Sequence, residues 1–308
     1  MRQGIWIDTF DPVQRAHVEA ARAAIRAHGL DRLFIVPAAG GGCLASEDDR
    51  CAMLRAAFAA DETIEISRAD APNLDIRAPG ALDNSDLHAM LLRGADAREY
   101  VPEAALHVIA ARGLYLANKP ESAIRDDLRA VQSARRFAHT LGVMETAASL
   151  AGANGLPAGK ARVAGLLHDC AKHLTDAQLL AYADVSGADA FERAIPQLLH
   201  APVGAHIAQS RYSVCDPEIL SAIRRHTVGG RGMGILDAIV YVADYIEPNR
   251  AGFRGLEDAR LCAQADLWAA TALCARLSEE YETRCGRRLH PATAQMIQEI
   301  ENGGMDIG

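Results

Sequence analysis

Six of the eleven histidines fall between positions 139 and 226: His139, His168, His173, His200, His206 and His226. The pair His168-Asp169 ends an apolar run, Val163-Ala164-Gly165-Leu166-Leu167, that should be buried. Burying an imidazole beside an ionised carboxylate is costly unless something compensates the charge. A divalent cation does so, and mixed nitrogen and oxygen donors suit zinc, iron or manganese. His139 lies upstream of this pair and Asp244 far downstream, with His200 and His226 between them. Lys172 follows Asp169 by three residues, which on a helix puts both on one face. Four such side chains can hold one metal; six, with Asp169 bridging, can hold two.

The elements that must position these residues are helical. Helix signals recur at about 136–152, 158–170, 175–183, 200–210, 216–227, 235–247 and 265–283. Asp216 is suited to cap a helix, Pro217 to its first turn, and Gly229-Gly230 to its end. Pro248 stops the helix that carries Asp244. His200 and His226 fall at helix ends.

Three stretches carry a closer likeness. They are Gly165-Leu166-Leu167-His168-Asp169-Cys170-Ala171-Lys172, Leu199-His200-Ala201-Pro202-Val203-Gly204-Ala205 and Ala243-Asp244-Tyr245-Ile246-Glu247-Pro248-Asn249-Arg250. With Leu289-His290-Pro291 they resemble the YqeK-type branch of the HD superfamily of metal phosphohydrolases, known as symmetrical diadenosine tetraphosphatases with a di-iron centre. The resemblance implies an all-α HD-domain bundle over 122–302. It implies metal ligands at His139, His168, Asp169, His200, His226 and Asp244, none of them substituted. Lys172 becomes a catalytic phosphate contact beside Asp169, and Arg136, Thr227 and Arg250 become substrate contacts. His173 and His206 have no place in the pattern, Tyr245 and Glu247 are expected to pack and to support ligands, and His290 is expected to be structural or to support a ligand. The implied reaction is attack of a metal-bound hydroxide on a phosphoanhydride, splitting diadenosine tetraphosphate into two ADP. Such chemistry needs no nucleophilic side chain.

Residues 1–117 read differently. Apolar runs at Gly4 to Ile7, Leu33 to Val36 and Thr63 to Ile66 alternate with helical spacing over Pro12 to His28 and Asp48 to Ala60. That order predicts a Rossmann-like α/β domain with a small parallel sheet. Two helical stretches follow, Ser85 to Leu92 and Pro102 to Arg112, and Asn118-Lys119-Pro120-Glu121 reads as a linker. The start, Gly4 to His17, is similar to nicotinate-mononucleotide adenylyltransferases, in which a phosphate-binding HxGH follows Phe-Asp-Pro. Leu82 to His88, Tyr100-Val101-Pro102 and Arg112 to Tyr115 resemble the end of that family. Here Gln14 replaces the first His of HxGH and Ala16 its Gly, leaving His17. Ser85 is what remains of a Ser/Thr-rich motif, and His88 stands where an Arg is expected. Triphosphate handling needs those groups at a helix N-terminus, so this half is expected to be a degenerate, inactive nucleotidyltransferase-like domain.

Composition narrows the partners. The formal charge is −8 with no long Lys/Arg run, so a nucleic-acid polymer is not expected, whereas a small dinucleoside polyphosphate is. No apolar run approaches roughly 18 residues, and no signal peptide is seen, so no membrane role is expected. Seven cysteines, an odd number without a CxxC pair, read as reduced thiols of a cytoplasmic protein, each a small buried hydrophobe. The ligand set leaves open another nucleotide or phosphoester as substrate, or a nucleotide-sensing regulator with a structural metal. It also leaves open iron against manganese or zinc, and a homodimer against a monomer.

Overall fold

The computed structural model describes residues 1–38, 43–67 and 72–303, which separate into two compact units, Met1–Pro120 and Glu121–Gly308. In the first unit, β1 (Gln3–Asp8), α1 (Arg15–His28), β2 (Arg32–Pro37), α2 (Glu47–Ala57) and β3 (Ile64–Glu65) alternate, and α3 (Asn84–Leu92) and α4 (Glu103–Arg112) follow. The strands form one parallel sheet in the order β1-β2-β3. This is the expected α/β arrangement, although β3 keeps two residues where Thr63 to Ile66 was read as a strand. Trp6, Phe10, Leu33, Ile35, Met53 and Leu54 form its core. Ser46 caps α2 through the Asp49 N–H, and Glu47, Asp48 and Asp49 suit the positive end of its dipole.

The second unit is helical: α5 (Glu121–Val131), α6 (Ala134–Ala153), α7 (Ala158–Leu167), α8 (Asp176–Ala181), α9 (Ala190–Ala194), α10 (His200–Tyr212), α11 (Pro217–Arg225), α12 (Ile235–Ile246), α13 (Leu256–Ala265), α14 (Leu267–Arg284) and α15 (Pro291–Glu301). Helix α12 is apolar almost all round and buried from Leu236 to Ala243, which makes it the central element. Helices α6 and α7 pack closely because Gly165 has no side chain. A Cβ there would lie 2.9 Å from Met144 Cα.

Several boundaries differ from the pattern. The helix read over 158–170 ends at Leu167, and Asp169 and Lys172 lie in turns beyond it rather than on a shared helical face. Their backbone continues with tighter i→i+3 bonds, Cys170 N to Leu167 O and Lys172 N to Asp169 O, both 3.1 Å. The helix read over 265–283 begins at Leu267, because extended Asp266 caps it through the N–H groups of Trp268 and Ala269. Helix α11 ends at Arg225, before Gly229. Helices α5, α9, α13 and α15 lie outside the helical stretches that the sequence pattern predicts. Of the cysteines only Cys170 and Cys274 are buried, while Cys215 and Cys285 are exposed. Cys215 follows the end of α10 and Cys285 that of α14, where the chain turns at the surface. Among the described residues no helix is long and apolar enough to cross a membrane.

Candidate metal centre and active site

Four imidazoles and two carboxylates converge inside the helical unit. Helix α6 brings His139, the turn after α7 brings His168 and Asp169, the start of α10 brings His200, the end of α11 brings His226, and α12 brings Asp244. Three overlapping groups have ligand atoms within 4.8 Å of one another: His139 with His168 and Asp169, His168 with His226 and Asp244, and Asp169 with His200 and His226. Together they contain all six residues singled out by sequence.

The backbone sets how each ring presents itself. His168 Nδ1 lies 2.7 Å from Gly165 O, His200 Nδ1 2.6 Å from Gln197 O, and His226 Nδ1 2.7 Å from Ile223 O. A carbonyl oxygen only accepts, so each Nδ1 carries the proton and each Nε2 presents a lone pair. His139 does the same through a side chain: its Nδ1 lies 3.1 Å from Glu247 Oε1 and its Nε2 3.1 Å from Asp244 Oδ1. The Nε2 atoms of His200 and His226 face one another at 3.2 Å, and Thr227 Oγ1 lies 3.0 and 3.1 Å from them. Two lone pairs that close repel unless a cation or hydroxyl proton lies between them.

Electrostatics favour a cation at the same place. His168 Nε2 and Asp169 Oδ1 are buried without a hydrogen-bond partner, an arrangement costing about 1–3 kcal/mol per atom unless an ion engages them. Asp169 Oδ1 lies 3.4 Å from His200 Nε2 and 3.5 Å from His226 Nε2. Burial pushes His168 down to about 4 and His200 to about 3, so both rings are neutral donors at pH 7. Burial alone would raise the Asp169 and Asp244 carboxyls. His168, His226 and Lys172 hold Asp169 well below the usual range, and His139, His168 and Arg250 do so for Asp244. Burial also opposes charge on His139, but its contacts with Asp244 and Glu247 raise it overall. The neutral rings of His168 and His200 and two ionised carboxylates, oriented by outer hydrogen bonds, fit a divalent metal.

The remaining expected residues border the cluster. Arg136 Nη1 is 3.3 Å from Asp169 Oδ2, and Arg250 Nη1 is 3.4 Å from Asp244 Oδ1. Lys172 Nζ is 2.8 Å from His200 Nε2 and 3.8 Å from Asp169 Oδ1, and burial lowers its pKa despite that carboxylate. All three line a cavity of about 1310 Å³, as does Thr227. That exceeds the roughly 300–1,000 Å³ common for small-molecule sites. His173 is exposed, and His206 packs near Tyr182 at 5.8 Å, so neither joins the cluster. His290 caps α15 through the Ala292 N–H, yet it also lines the cavity. Sequence reasoning missed Arg135, Phe191, Arg287 and Arg288 as cavity residues; Arg135 lies in the first turn of α6, and the others stand on a short helix and a connection with no local pattern.

Residues 136–249 match the family model described as HD domain. The chain is 43% identical over 134 residues to a "Bis(5'-nucleosyl)-tetraphosphatase, symmetrical" of Bacillus subtilis, covering 43% of this chain and 71% of that one. It is 28% identical to a "Probable nicotinate-nucleotide adenylyltransferase/Ap4A hydrolase" of Mycoplasma genitalium, covering 81% of this chain and 89% of that one. A crystal structure described as a predicted HD superfamily hydrolase involved in NAD metabolism, from Clostridium acetobutylicum, superposes with TM-score 0.57 at 33% identity. It covers 59% of this chain and 97% of that one.

Proposed function

Given that this chain belongs to the HD-domain family of metal-dependent phosphohydrolases, we propose that it cleaves diadenosine tetraphosphate at the middle of its phosphate chain to give two ADP. The observation that supports this most is the convergence of four imidazoles and two ionised carboxylates beside a cavity large enough for a dinucleotide.

In this reading His139, His168, Asp169, His200, His226 and Asp244 would hold two divalent ions, iron by preference. When bound, such ions supply water activation and offset phosphoryl charge. Lys172 and Arg136 hold the phosphoryl oxygens as charge builds at the reacting phosphorus, Lys172 as a point charge and Arg136 as a planar donor. Arg250 and the Thr227 hydroxyl orient the flanking phosphates. The backbone carbonyls of Gly165, Gln197 and Ile223 keep the imidazoles from rotating away. The N-terminal unit does not transfer adenylyl groups. Gln14 stands where a phosphate-binding His would be, and its amide is engaged at both ends with Leu82, to O at 2.9 Å and from N at 2.8 Å.

Incubation with diadenosine tetraphosphate and Fe²⁺ or Mn²⁺, with products separated by anion exchange, tests the proposal. ADP as the sole product is expected. ATP plus AMP, or no turnover with any metal, would sink it.

A further inference from the structure

We propose that Phe191, Arg288 and His290 form a nucleobase subsite that grips one nucleoside end of the substrate away from the metal cluster; the inference rests on the dinucleotide reading above. All three line the same cavity as Lys172 and Asp244. They come from two separate stretches of chain, Phe191 from α9 and the others from the α14–α15 connection. The Phe191 and His290 rings meet edge to face, with centroids 4.8 Å apart and planes at 72°. The Arg288 guanidinium carbon lies 5.8 Å from the Phe191 centroid.

This wall is held in place before any ligand arrives. His290 Nδ1 accepts the Ala292 N–H, and its Nε2 lies 3.2 Å from Asp189 Oδ2. Asp189 in turn caps α9, the helix that carries Phe191, accepting the Glu192 N–H while its own N–H donates to Glu192 Oε2. The imidazole therefore packs edge to face on the phenyl ring while the neighbouring Asp189 caps the helix that carries it.

Arg288 differs from most of the cavity cations. Arg136 is engaged by Asp169, Arg250 by Asp244, and Arg287 by both oxygens of Glu282. Arg288, like Arg135, has no carboxylate partner among the described residues, and its guanidinium lies against the Phe191 ring. An arginine plane without a counter-ion, beside a braced aromatic ring, matches a purine: the base stacks, and the guanidinium covers it or reaches its adjoining phosphate. A phosphate-only site would have no use for Phe191, and a purely apolar ligand none for Arg288. Cleavage at the middle of the chain requires one nucleoside to be held at a set distance from the metals, and a fixed base subsite does that.

The test uses the full-length protein and two variants, Phe191→Leu and Arg288→Gln. Calorimetric titration of ADP into the metal-loaded protein reads the subsite whether or not turnover occurs. Roughly tenfold weaker ADP binding is expected in each variant, in line with the stacking and cation contributions of such sites. KM for diadenosine tetraphosphate should rise by a similar factor with kcat kept within about twofold, while hydrolysis of p-nitrophenyl phosphate, which has no base, stays level with wild type. ADP affinity unchanged in both variants overturns the subsite. So does an equal fall in the turnover of both substrates, which would mark general damage to the centre. Failure of wild type to split the dinucleotide, with ADP still bound through Phe191, would remove the reaction and leave the subsite standing.

Discussion

His139 donates from Nδ1 to Glu247 Oε1 at 3.1 Å, and Glu247 has no exposure to solvent. A buried carboxylate behind a ligand imidazole fixes its tautomer and raises its basicity. Glu247 also accepts the Asn249 N–H at 2.6 Å, so the turn after α12 locks the carboxylate in place. Glu247→Ala should weaken metal binding roughly 10- to 100-fold, measured by competition with a chromophoric chelator. Glu247→Gln, which keeps an acceptor oxygen, should recover much of that loss. Equal affinity in wild type and both variants would refute the role.

Asp169 is the residue shared most widely across the cluster, within 4 Å of His168, His200, His226, Arg136 and Lys172. Asp169→Ala should remove bound metal and reduce turnover by at least about a thousandfold, as expected when a group central to metal-assisted hydrolysis is lost. Metal content by elemental analysis and single-turnover rates on one preparation check both. A variant that kept its metal or its rate would contradict the ligand assignment.

The apoprotein should lose stability in mild acid. His168 and His200 sit near 4 and 3 when folded against an ordinary 6.5, so they are neutral in the folded chain. Below pH 6.5 they take up protons on unfolding, the unfolded state binds more protons, and stability falls as pH drops towards 4 and then 3. The lowered carboxyls of Asp169 and Asp244 extend the fall below pH 3.8. His139, raised when folded, acts with the opposite sign: its contribution is present below pH 6.5 and fades as pH rises through its folded value. The net loss from pH 7.5 to 5 should be on the order of 2 kcal/mol per buried histidine, less the His139 term. Urea titrations of chelator-treated protein at both pH values measure it, and a flat profile would count against neutral buried rings.

Gly165→Ala should separate α6 from α7, because the new Cβ would meet Met144 Cα at 2.9 Å, and backbone cannot swing aside. A cost of about 1–3 kcal/mol is expected from overpacking, together with weaker metal binding, since Gly165 O anchors His168 Nδ1. Thermal melts and metal titration report the two effects. An unchanged Tm would show that the helices part without strain.

In the N-terminal unit, buried Asp11 accepts Tyr115 Oη at 2.6 Å, Leu44 N at 2.7 Å and Ala45 N at 3.2 Å, and His88 Nε2 lies 3.1 Å from it. Tyr115→Phe should destabilise the unit by about 1–3 kcal/mol by leaving part of that carboxylate unsatisfied. Adenylyl transfer from ATP to nicotinate mononucleotide should be absent in wild type and variant alike. Dinucleotide formation by wild type would overturn the inactive reading.

What the sequence determined by itself was the identity and order of the six clustered residues, the helices that carry or flank them, and the change from an α/β half to a helical half. Side-chain chemistry is written in each residue type, and periodicity over ten or more residues reports which helix face is buried. Tertiary structure decided what the groups do to one another. Only packing shows that three imidazoles give Nδ1 to carbonyls three residues back and turn Nε2 inward, and that Asp169 and Lys172 stand on turns rather than a helix face. Packing likewise brought Glu247 behind His139, and Phe191 beside Arg288 across nearly a hundred residues of chain. Those relationships depend on contacts between distant segments, and no local spacing encodes them. The same holds for the cysteines: a thiol's burial depends on what packs over it, and the surface turns at Cys215 and Cys285 leave them exposed.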